Sequence, residues 1–291
     1  MKIATAAYPL DVLTSWAAYE DKLAKWVDEA ANNGADLLVF PEYGAMELAT
    51  LAGLDVAGDL EASLHAVSER LEDADKVHVK LAAEHGVHIV AASGPADTDT
   101  RPVNRARLIT PTGQIGVQDK QIMTRFEDEV WDVVGGNGLQ VFDTTLGKIG
   151  ILICYDSEFP LLGRALSDCD VIAVPSVTET LAGYWRVRIG SMARALENQC
   201  ITAMSSVVGP AGWSEALGTS CGAGGVYCPP DTGFPATGVV AVGEINAPGW
   251  TYAEVDLGKV AHVRADGVVL NRRRWTKQYG RDNTAINVRL R

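Results

Sequence analysis

The sequence lacks the features that mark membrane-spanning, secreted and disulfide-stabilised proteins. No stretch approaches the roughly 18 uninterrupted apolar residues of a transmembrane helix. The first apolar run ends at Pro9, so no secretory signal peptide is expected. The five cysteines contain no CxxC pair and do not suggest a disulfide framework, which makes a reducing cytoplasm the simplest setting.

The sequence also lacks an excess of basic residues. It has 25 Lys and Arg against 37 Asp and Glu, a formal net charge of −12. An acidic surface disfavours nucleic acid and anionic membranes as partners, and it is compatible with an enzyme that acts on small molecules. With 291 residues, 47% of them hydrophobic, the chain is long enough to bury a large core.

Strand-type and helix-type patterns alternate along the chain. A first strand is predicted over 2–7. Thr14 or Ser15 then caps a helix whose apolar residues recur every three or four positions until Gly34. Further strands are predicted over 36–40, 87–93, two within 105–120, and over 139–143, 148–154, 170–176 and 200–207. Further helices are predicted over about 59–85, after Phe159, and around 185–196.

The last of these helices has an apolar face formed by Trp185, Ile189, Met192 and Leu196. No linker-like change of composition and no internal repeat interrupts the order of strands and helices. We therefore predict a single α/β domain over residues 1–291, with both parallel and antiparallel strand pairs in its sheet.

Three polar residues stand where predicted strands end. Glu42 follows the apolar strand and Pro41, Lys120 ends the second strand of a hairpin, and Cys154 ends the run KIGILI. Ligands of α/β proteins bind beyond the carboxyl ends of strands, so the three side chains can share one pocket. A carboxylate can take the proton of a thiol, and an ammonium can stabilise an oxyanion, which is worth about 3–4 kcal/mol of barrier.

Each of these residues alone has an ordinary structural explanation. A cysteine at a strand end is usually part of the core, and Cys169, Cys200, Cys221 and Cys228 are read in that way. Glu42 could cap a helix, and Lys120 could protect an edge strand. The conjunction of all three at strand ends favours catalysis instead. His85 and His88 have no ordered cluster of further ligands around them, so we expect no metal site.

Three segments of the chain resemble the motif regions of the nitrilase superfamily of carbon–nitrogen hydrolases. They are FPEYG (40–44), DKQIMTRFE (119–127) and GKIGILICYDSEFP (147–160), and they bring Glu, Lys and Cys in the order of that family. Later segments at 174–176, 184–198, 222–233 and 251–260 are also similar. The resemblance therefore covers nearly the whole chain.

The resemblance implies a role for each matching residue. Glu42 would be the general base, Lys120 the oxyanion stabiliser and Cys154 the nucleophile, with the backbone N–H of Tyr155 completing the oxyanion hole. A second glutamate a few residues after the lysine would position substrate and lysine. Glu127 is the first choice for it.

Glu129 is the fallback for the second glutamate, because the loop RFEDEVWDVVGGNG is acidic throughout. Tyr184 and Trp185 are candidate substrate-binding residues. The chain departs from the family pattern at two places: Ile122 stands where a histidine is common, and Pro160-Leu161 stands where a Pro-Glu pair often ends the cysteine motif. Neither departure touches the three reacting groups.

The same resemblance implies a four-layer αββα sandwich with mixed sheets, no metal or organic cofactor, and homodimers that can assemble further. The C-terminal tail, about 271–291, is a candidate for oligomer contacts. CYDSEFP resembles the amidase-type branches, so we expect a small-molecule amide as substrate, with an ω-amide of a dicarboxylic acid as one form. A nitrile or an N-carbamoyl amino acid is the alternative substrate, and a catalytically inactive binding protein is the alternative of another class.

Overall fold

The computed structural model describes residues 1–281 and 285–290. Its strands are β1 (Lys2–Tyr8), β2 (Leu37–Val39), β3 (His88–Ala96), β4 (Val103–Ile109), β5 (Ile115–Asp119), β6 (Val141–Thr144), β7 (Gly147–Ile151), β8 (Val171–Ser176), β9 (Ile201–Val207), β10 (Gly209–Pro210), β11 (Thr219–Ser220), β12 (Gly225–Tyr227), β13 (Val239–Val242) and β14 (Gly249–Glu254). Its α-helices are α1 (Trp16–Asn32), α2 (Leu54–Gly58), α3 (Leu60–His85), α4 (Arg125–Glu129), α5 (Pro160–Ala165), α6 (Leu181–Asn198), α7 (Leu257–Asp266) and α8 (Asn271–Arg274). Short 3₁₀ segments cover Gly44–Ala52, Cys154–Glu158 and Trp275–Gln278.

The main sheet has two halves. One half runs β5-β4-β3-β2-β1 and adds β14 beside β1, and the other runs β6-β7-β8-β9 and adds β12 and β13. The halves are joined where Ala7 and Tyr8 of β1 pair with Ser206 and Val207 of β9. Parallel pairs such as β1–β2 and β8–β9 occur beside antiparallel hairpins such as β4–β5, as the sequence predicts.

Alternating side chains show how the halves are stacked. In and after β2, Leu38 and Phe40 pack into a core shared with α1 and α3, whereas Leu37 and Val39 pack into a second core shared with β7, β8 and β9. Successive residues of a strand point to opposite faces, so the β1–β3 half has helices on one side and the other half-sheet on the other. Tyr184 of α6 packs into the second core, on the side of the half-sheet that contains β7, β8 and β9. The predicted four-layer αββα sandwich is confirmed.

The ends of the long helices follow from their capping residues. Ser15 Oγ accepts a hydrogen bond from the Ala18 N–H, and Asp59 accepts one from the N–H of Ala62 at the start of α3. Such caps stabilise a helix by about 1 kcal/mol each. At the other end of α3, Gly86 has a φ of +68°, a left-handed conformation that glycine adopts without strain.

Helix α6 differs from the sequence-based expectation. Its apolar residues Trp185, Ile189 and Leu196 are 43%, 62% and 39% exposed. The buried side of the helix is instead formed by Tyr184 and Val187 together with small and polar residues such as Gly190 and Ser191. The reason is close packing: a Cβ atom at position 190 would lie 2.8 Å from the carbonyl oxygen of Ser157.

The C-terminal segment is partly anchored to the rest of the fold. Arg272 donates to the carbonyl of Ser167 and pairs with Asp168, and the Arg164 guanidinium lies over the Trp275 ring. Positions 282–284 and 291 of the predicted oligomer-contact tail lie outside the described residues. Within the part of the chain that the structure describes, no helix has the length and apolar character needed to cross a membrane.

Candidate active site

The ends of three chain segments bring together an acid, an ammonium and a thiol. Glu42 follows β2, Lys120 follows β5, and Cys154 lies beyond β7. Lys120 Nζ is 2.7 Å from Glu42 Oε1 and 2.6 Å from Glu127 Oε2. All four side chains are buried, with 4% exposure or less. The structure therefore groups the four residues that the sequence selects for catalysis.

The turn that carries Cys154 is not the strand end predicted from the sequence. Strand β7 ends at Ile151, and Cys154 opens a 3₁₀ segment with a φ of +48°. A side chain other than glycine in this left-handed region costs about 1–3 kcal/mol, and such strain is concentrated at functional sites. Ser157 Oγ holds the turn by donating to the Cys154 carbonyl at 2.6 Å.

The structure distinguishes the two glutamates that the sequence leaves open. Glu127 accepts hydrogen bonds from Tyr43 Oη at 2.8 Å and from Thr124 Oγ1 at 2.7 Å, besides its contact with Lys120. Thr124 and Glu127 also form a capping box at the start of α4. Glu129 lies on the surface and pairs with Arg125. Only Glu127 belongs to the buried cluster.

Two further groups fix the Glu42 carboxylate. Asn104 Nδ2 donates to its Oε1 at 3.0 Å, and the backbone N–H of Val177 donates to its Oε2 at 3.0 Å. Val177 follows β8, which belongs to the other half of the sheet. The carbonyl of the same residue lies 3.6 Å from Cys154 Sγ, a weak sulfur contact. Val177 therefore contacts both the acid and the thiol.

The burial of this cluster shifts its acid–base properties. Burial raises the pKa of Glu42 from 4.5 to about 7, with Glu127 adding to the rise and Lys120 opposing it. Burial alone would also raise the pKa of Glu127, but Lys120 and Thr124 hold it below its usual range. The pKa of Lys120 would fall through burial, yet Glu127 and Glu42 raise it. The two carboxylates therefore favour the charged form of Lys120.

The thiol is protonated in the resting site. Burial raises the pKa of Cys154 well above its usual range, the Glu42 carboxylate adds to this, and Lys120 opposes it. A thiol in this state needs a base before it can attack a carbon atom. Glu42, whose pKa of about 7 lies near neutrality, is the adjacent group with the right acid strength to take the proton.

A cavity of about 260 Å³ opens onto the four residues. Tyr155 lines it beside Cys154, where its backbone N–H was assigned to the oxyanion hole by resemblance. The structure places the two aromatic candidates elsewhere. Tyr184 is fully buried in the second core and Trp185 faces outward under Arg188, and neither lines the cavity.

The two histidines lie apart from this cavity. His85 contacts Asp28 at 2.7 Å, and His88 Nε2 lies 3.4 Å from Thr145 Oγ1. Across residues 1–281 and 285–290, no group of three or more His, Cys, Asp or Glu side chains is arranged to hold a metal ion.

Comparison with known proteins identifies the family of the chain. The family model described as carbon-nitrogen hydrolase matches residues 2–225 of the chain. The chain belongs to the carbon–nitrogen hydrolase family. Among curated members, the probable hydrolase YhcX of Bacillus subtilis is 31% identical over 271 residues, which cover 92% of this chain and 52% of YhcX. The chain thus spans about half the length of that relative.

A second curated relative and two solved structures are also similar to the chain. The omega-amidase YafV of Escherichia coli K12 is 28% identical over 200 residues, covering 64% of this chain and 72% of YafV. Among solved structures, a carbon–nitrogen hydrolase from Helicobacter pylori G27 has a TM-score of 0.72 at 20% identity, covering 97% of this chain and 94% of the other. An amidase from Nesterenkonia sp. has a TM-score of 0.65 at 22% identity, covering 91% and 94%. These structures establish the fold.

Several residues of this carbon–nitrogen hydrolase site were missed by sequence reasoning. The carboxylate of Asp156 accepts from the N–H groups of Gln121 and Ile122, at 3.1 and 2.9 Å, and so ties the loop after Lys120 to the Cys154 turn. Asp156 could have been predicted from its position two residues after the thiol, and Tyr43 from its position next to Glu42. The sequence around Asn104 and Val177 contains nothing that would mark them as site residues.

Proposed function

We propose that the protein hydrolyses the C–N bond of a small-molecule amide through a thioester on Cys154. The observation that carries this proposal is the buried contact of one ammonium with two carboxylates beside a thiol, all facing one cavity. Glu42, Lys120, Glu127 and Cys154 then have the roles that the resemblance implies. Similarity to an omega-amidase of Escherichia coli supports an amide as the substrate.

In the acylation step, Glu42 takes the proton of the Cys154 thiol, and the sulfur forms a bond to the amide carbon. The carbonyl oxygen becomes an oxyanion, held by the Lys120 ammonium and the Tyr155 N–H. When the tetrahedral intermediate collapses, the C–N bond breaks. The nitrogen takes the proton from Glu42 and leaves as ammonia or an amine.

In the deacylation step, Glu42 takes a proton from a water molecule, and the resulting hydroxide adds to the thioester carbon. The C–S bond then breaks, the sulfur recovers the proton, and a carboxylic acid leaves. Glu127 does not exchange protons in this scheme. It stays charged and holds Lys120 in place, since its pKa is lowered by Lys120 against the effect of burial.

We further propose a cytoplasmic homodimer or larger homo-oligomer, with no nucleic acid or membrane partner. All five cysteines are free, which suits a reducing compartment. The exposed apolar face of α6, formed by Trp185, Ile189 and Leu196, supports self-association. The residues of the 271–291 tail that are described include exposed apolar side chains such as Ile286 and Leu290.

The test is ammonia release from a panel of small amides, ω-amides, nitriles and N-carbamoyl amino acids. We expect turnover of an amide by the wild type and none by Cys154→Ala, while the matched variant Cys221→Ala keeps its rate. A nitrile or a carbamoyl compound as the best substrate would assign one of the alternative activities. Equal turnover by Cys154→Ala would remove the thiol from the mechanism.

Labelling with iodoacetamide separates the enzyme from an inactive binding protein. Cys154 should react faster near neutral pH than the other four cysteines, because Glu42 can take the proton of its thiol as the sulfur attacks the reagent. Glu42→Gln should slow this labelling and abolish turnover without unfolding the protein. Slow and equal labelling of all five thiols would contradict the enzymatic proposal.

A further inference from the structure

The cavity beside Cys154 is lined by more negative than positive side chains. Its acidic and basic wall residues are four carboxylates, Glu42, Glu127, Glu158 and Glu179, and two cations, Lys120 and Arg186. Lys120 is already in contact with two of the carboxylates. The remaining wall, formed by Glu158, Glu179 and Arg186, also has one more negative than positive charge. A substrate with an anionic end would meet repulsion there.

Glu158 has an oxygen whose hydrogen-bonding capacity is unused. It is the last residue of the 3₁₀ segment that begins at Cys154. Its Oε1 is shielded from solvent and, in the part of the chain that the structure describes, accepts no hydrogen bond. The Glu158 side chain is 23% exposed, so its carboxylate is only partly buried, and a ligand in the cavity that donates an N–H to it would form a charge-assisted hydrogen bond.

Arg186 does not satisfy this oxygen. Its Nε lies 3.5 Å from Glu158 Oε1, beyond normal hydrogen-bond distance, and its side chain is 64% exposed. An ion pair with so exposed a partner is weak and screened by solvent. Arg186 can therefore give way to a ligand cation at Glu158 without much loss.

Glu179 adds a second negative charge on the same cavity wall. It follows Val177 and Thr178, which also line the cavity, and it is exposed. Among residues 1–281 and 285–290, no cationic side chain lies within 4.0 Å of its carboxylate. Its charge therefore adds to the attraction that the cavity has for a cation.

We propose that Glu158, with Glu179 beside it, recognises a positively charged group of the substrate, so that the substrate is a small amide carrying a protonated amine. The inference rests on the proposed function, because it assumes that the amide end lies at Cys154. Cys154 and Glu158 are the first and last residues of one 3₁₀ segment and line the same cavity, so a short substrate is proposed to place its amide at the thiol and its ammonium at the carboxylate. This substrate class takes the place of the dicarboxylic ω-amide.

The test compares three amides with the same three-methylene spacer: 4-aminobutanamide is cationic, pentanamide is neutral and glutaramate is anionic. Binding is measured by titration calorimetry to Cys154→Ala, which cannot turn them over, and hydrolysis is measured with the wild type. We expect 4-aminobutanamide to bind about 10-fold more tightly than pentanamide, the scale of a charge-assisted hydrogen bond, and glutaramate to bind most weakly.

Substitutions in the Cys154→Ala background identify the side chain that causes the preference for the cationic amide. Adding Glu158→Gln to Cys154→Ala should reduce the ratio of the two dissociation constants to near 1. The matched control Glu129→Gln removes a carboxylate outside the cavity and should leave the ratio unchanged. Equal binding of the three amides, or no measurable binding of any, would overturn the inference. So would tightest binding of glutaramate that is lost in Arg186→Gln, since Arg186 would then be a carboxylate site.

The two proposals fail in different ways. If the wild type hydrolyses all three amides with equal kcat/KM, the hydrolase stands and the charge preference is refuted. If no amide is hydrolysed but 4-aminobutanamide still binds in a Glu158-dependent manner, the cation site stands and the proposed reaction is refuted.

Discussion

At the scale of single residues, one ammonium between two carboxylates gives the carboxylates different properties. Burial raises the pKa of Glu42 to about 7, whereas Lys120 and Thr124 keep the pKa of Glu127 below its usual range. Pairs of acids whose environments separate their pKa values commonly divide the work between them. Glu42 can exchange a proton at neutral pH, and Glu127 cannot. This difference is the physical reason to assign the base to Glu42.

The raised pKa of Glu42 predicts an acid limb in the pH profile. The base must be ionised to accept the thiol proton, and it loses the charge as the pH falls through about 7. We therefore expect kcat/KM to fall about tenfold per pH unit below this value. A profile measured from pH 5 to pH 9 checks this. A rate that stays constant down to pH 5 would show that a group with an ordinary carboxyl pKa, or none, controls the reaction.

Asp156 is a positioning residue rather than a reacting one. Its carboxylate accepts two backbone N–H groups just after Lys120, so it couples the lysine to the turn of the thiol. Asp156→Asn puts an N–H₂ group opposite at least one of these donors. We expect kcat to fall about 100-fold, because small displacements of reacting groups have effects of this size.

The measurement for Asp156 is kcat and KM together with the melting temperature. The control is Asp128→Asn. Asp128 is an exposed residue of α4, and its substitution should not alter kcat. A purely structural role would lower the melting temperature of Asp156→Asn and leave kcat of the folded fraction unchanged.

At the scale of the elements, the sequence predicts those features of helices and strands that depend on neighbouring residues in the chain. Helix α3 lies within the predicted range of about 59–85, and Asp59 and Gly86 cap its two ends. The turn at Cys154 was not predicted, because a positive φ at a residue other than glycine has no local signal. Glu127 was favoured over Glu129 only by resemblance, and the contact with Lys120 distinguishes them. The exposed face of α6 was missed because periodicity marks an apolar face without saying what covers it.

The close packing of α6 on the Cys154 turn gives a prediction at this scale. A Cβ at position 190 would meet the Ser157 carbonyl at 2.8 Å. Gly190→Ala should therefore displace the 3₁₀ segment and lower kcat about 100-fold. Alanine itself favours a helix over glycine by about 1 kcal/mol, so the melting temperature should fall little.

Kinetics and thermal melting of Gly190→Ala and Gly212→Ala check this prediction. Gly212 has no atom within 4 Å of an added Cβ, so its variant should keep wild-type kcat. Full activity of Gly190→Ala would show that the turn adjusts to the added methyl group without displacing the thiol.

At the scale of the whole molecule, the site exists only when the two half-sheets are docked. Glu42 and Lys120 come from the half that contains β2 and β5, and Cys154 and Val177 come from the half that contains β7 and β8. The hydrogen bond from Val177 N–H to Glu42 crosses between them. Opening of the sandwich would separate the base from the thiol, so we expect activity to be lost with the tertiary fold and not before it.

The exposed face of α6 predicts self-association of the whole molecule. Trp185, Ile189 and Leu196 lie on one side of the helix, and Ile189 is 62% exposed. Apolar residues grouped in this way commonly form a contact between copies. We expect the wild type to sediment as a dimer or larger assembly and Ile189→Lys to shift it toward the monomer. Val268→Lys changes a valine outside this face that is 82% exposed, more than Ile189, and should leave the assembly intact. A wild type that sediments as a monomer would refute the contact.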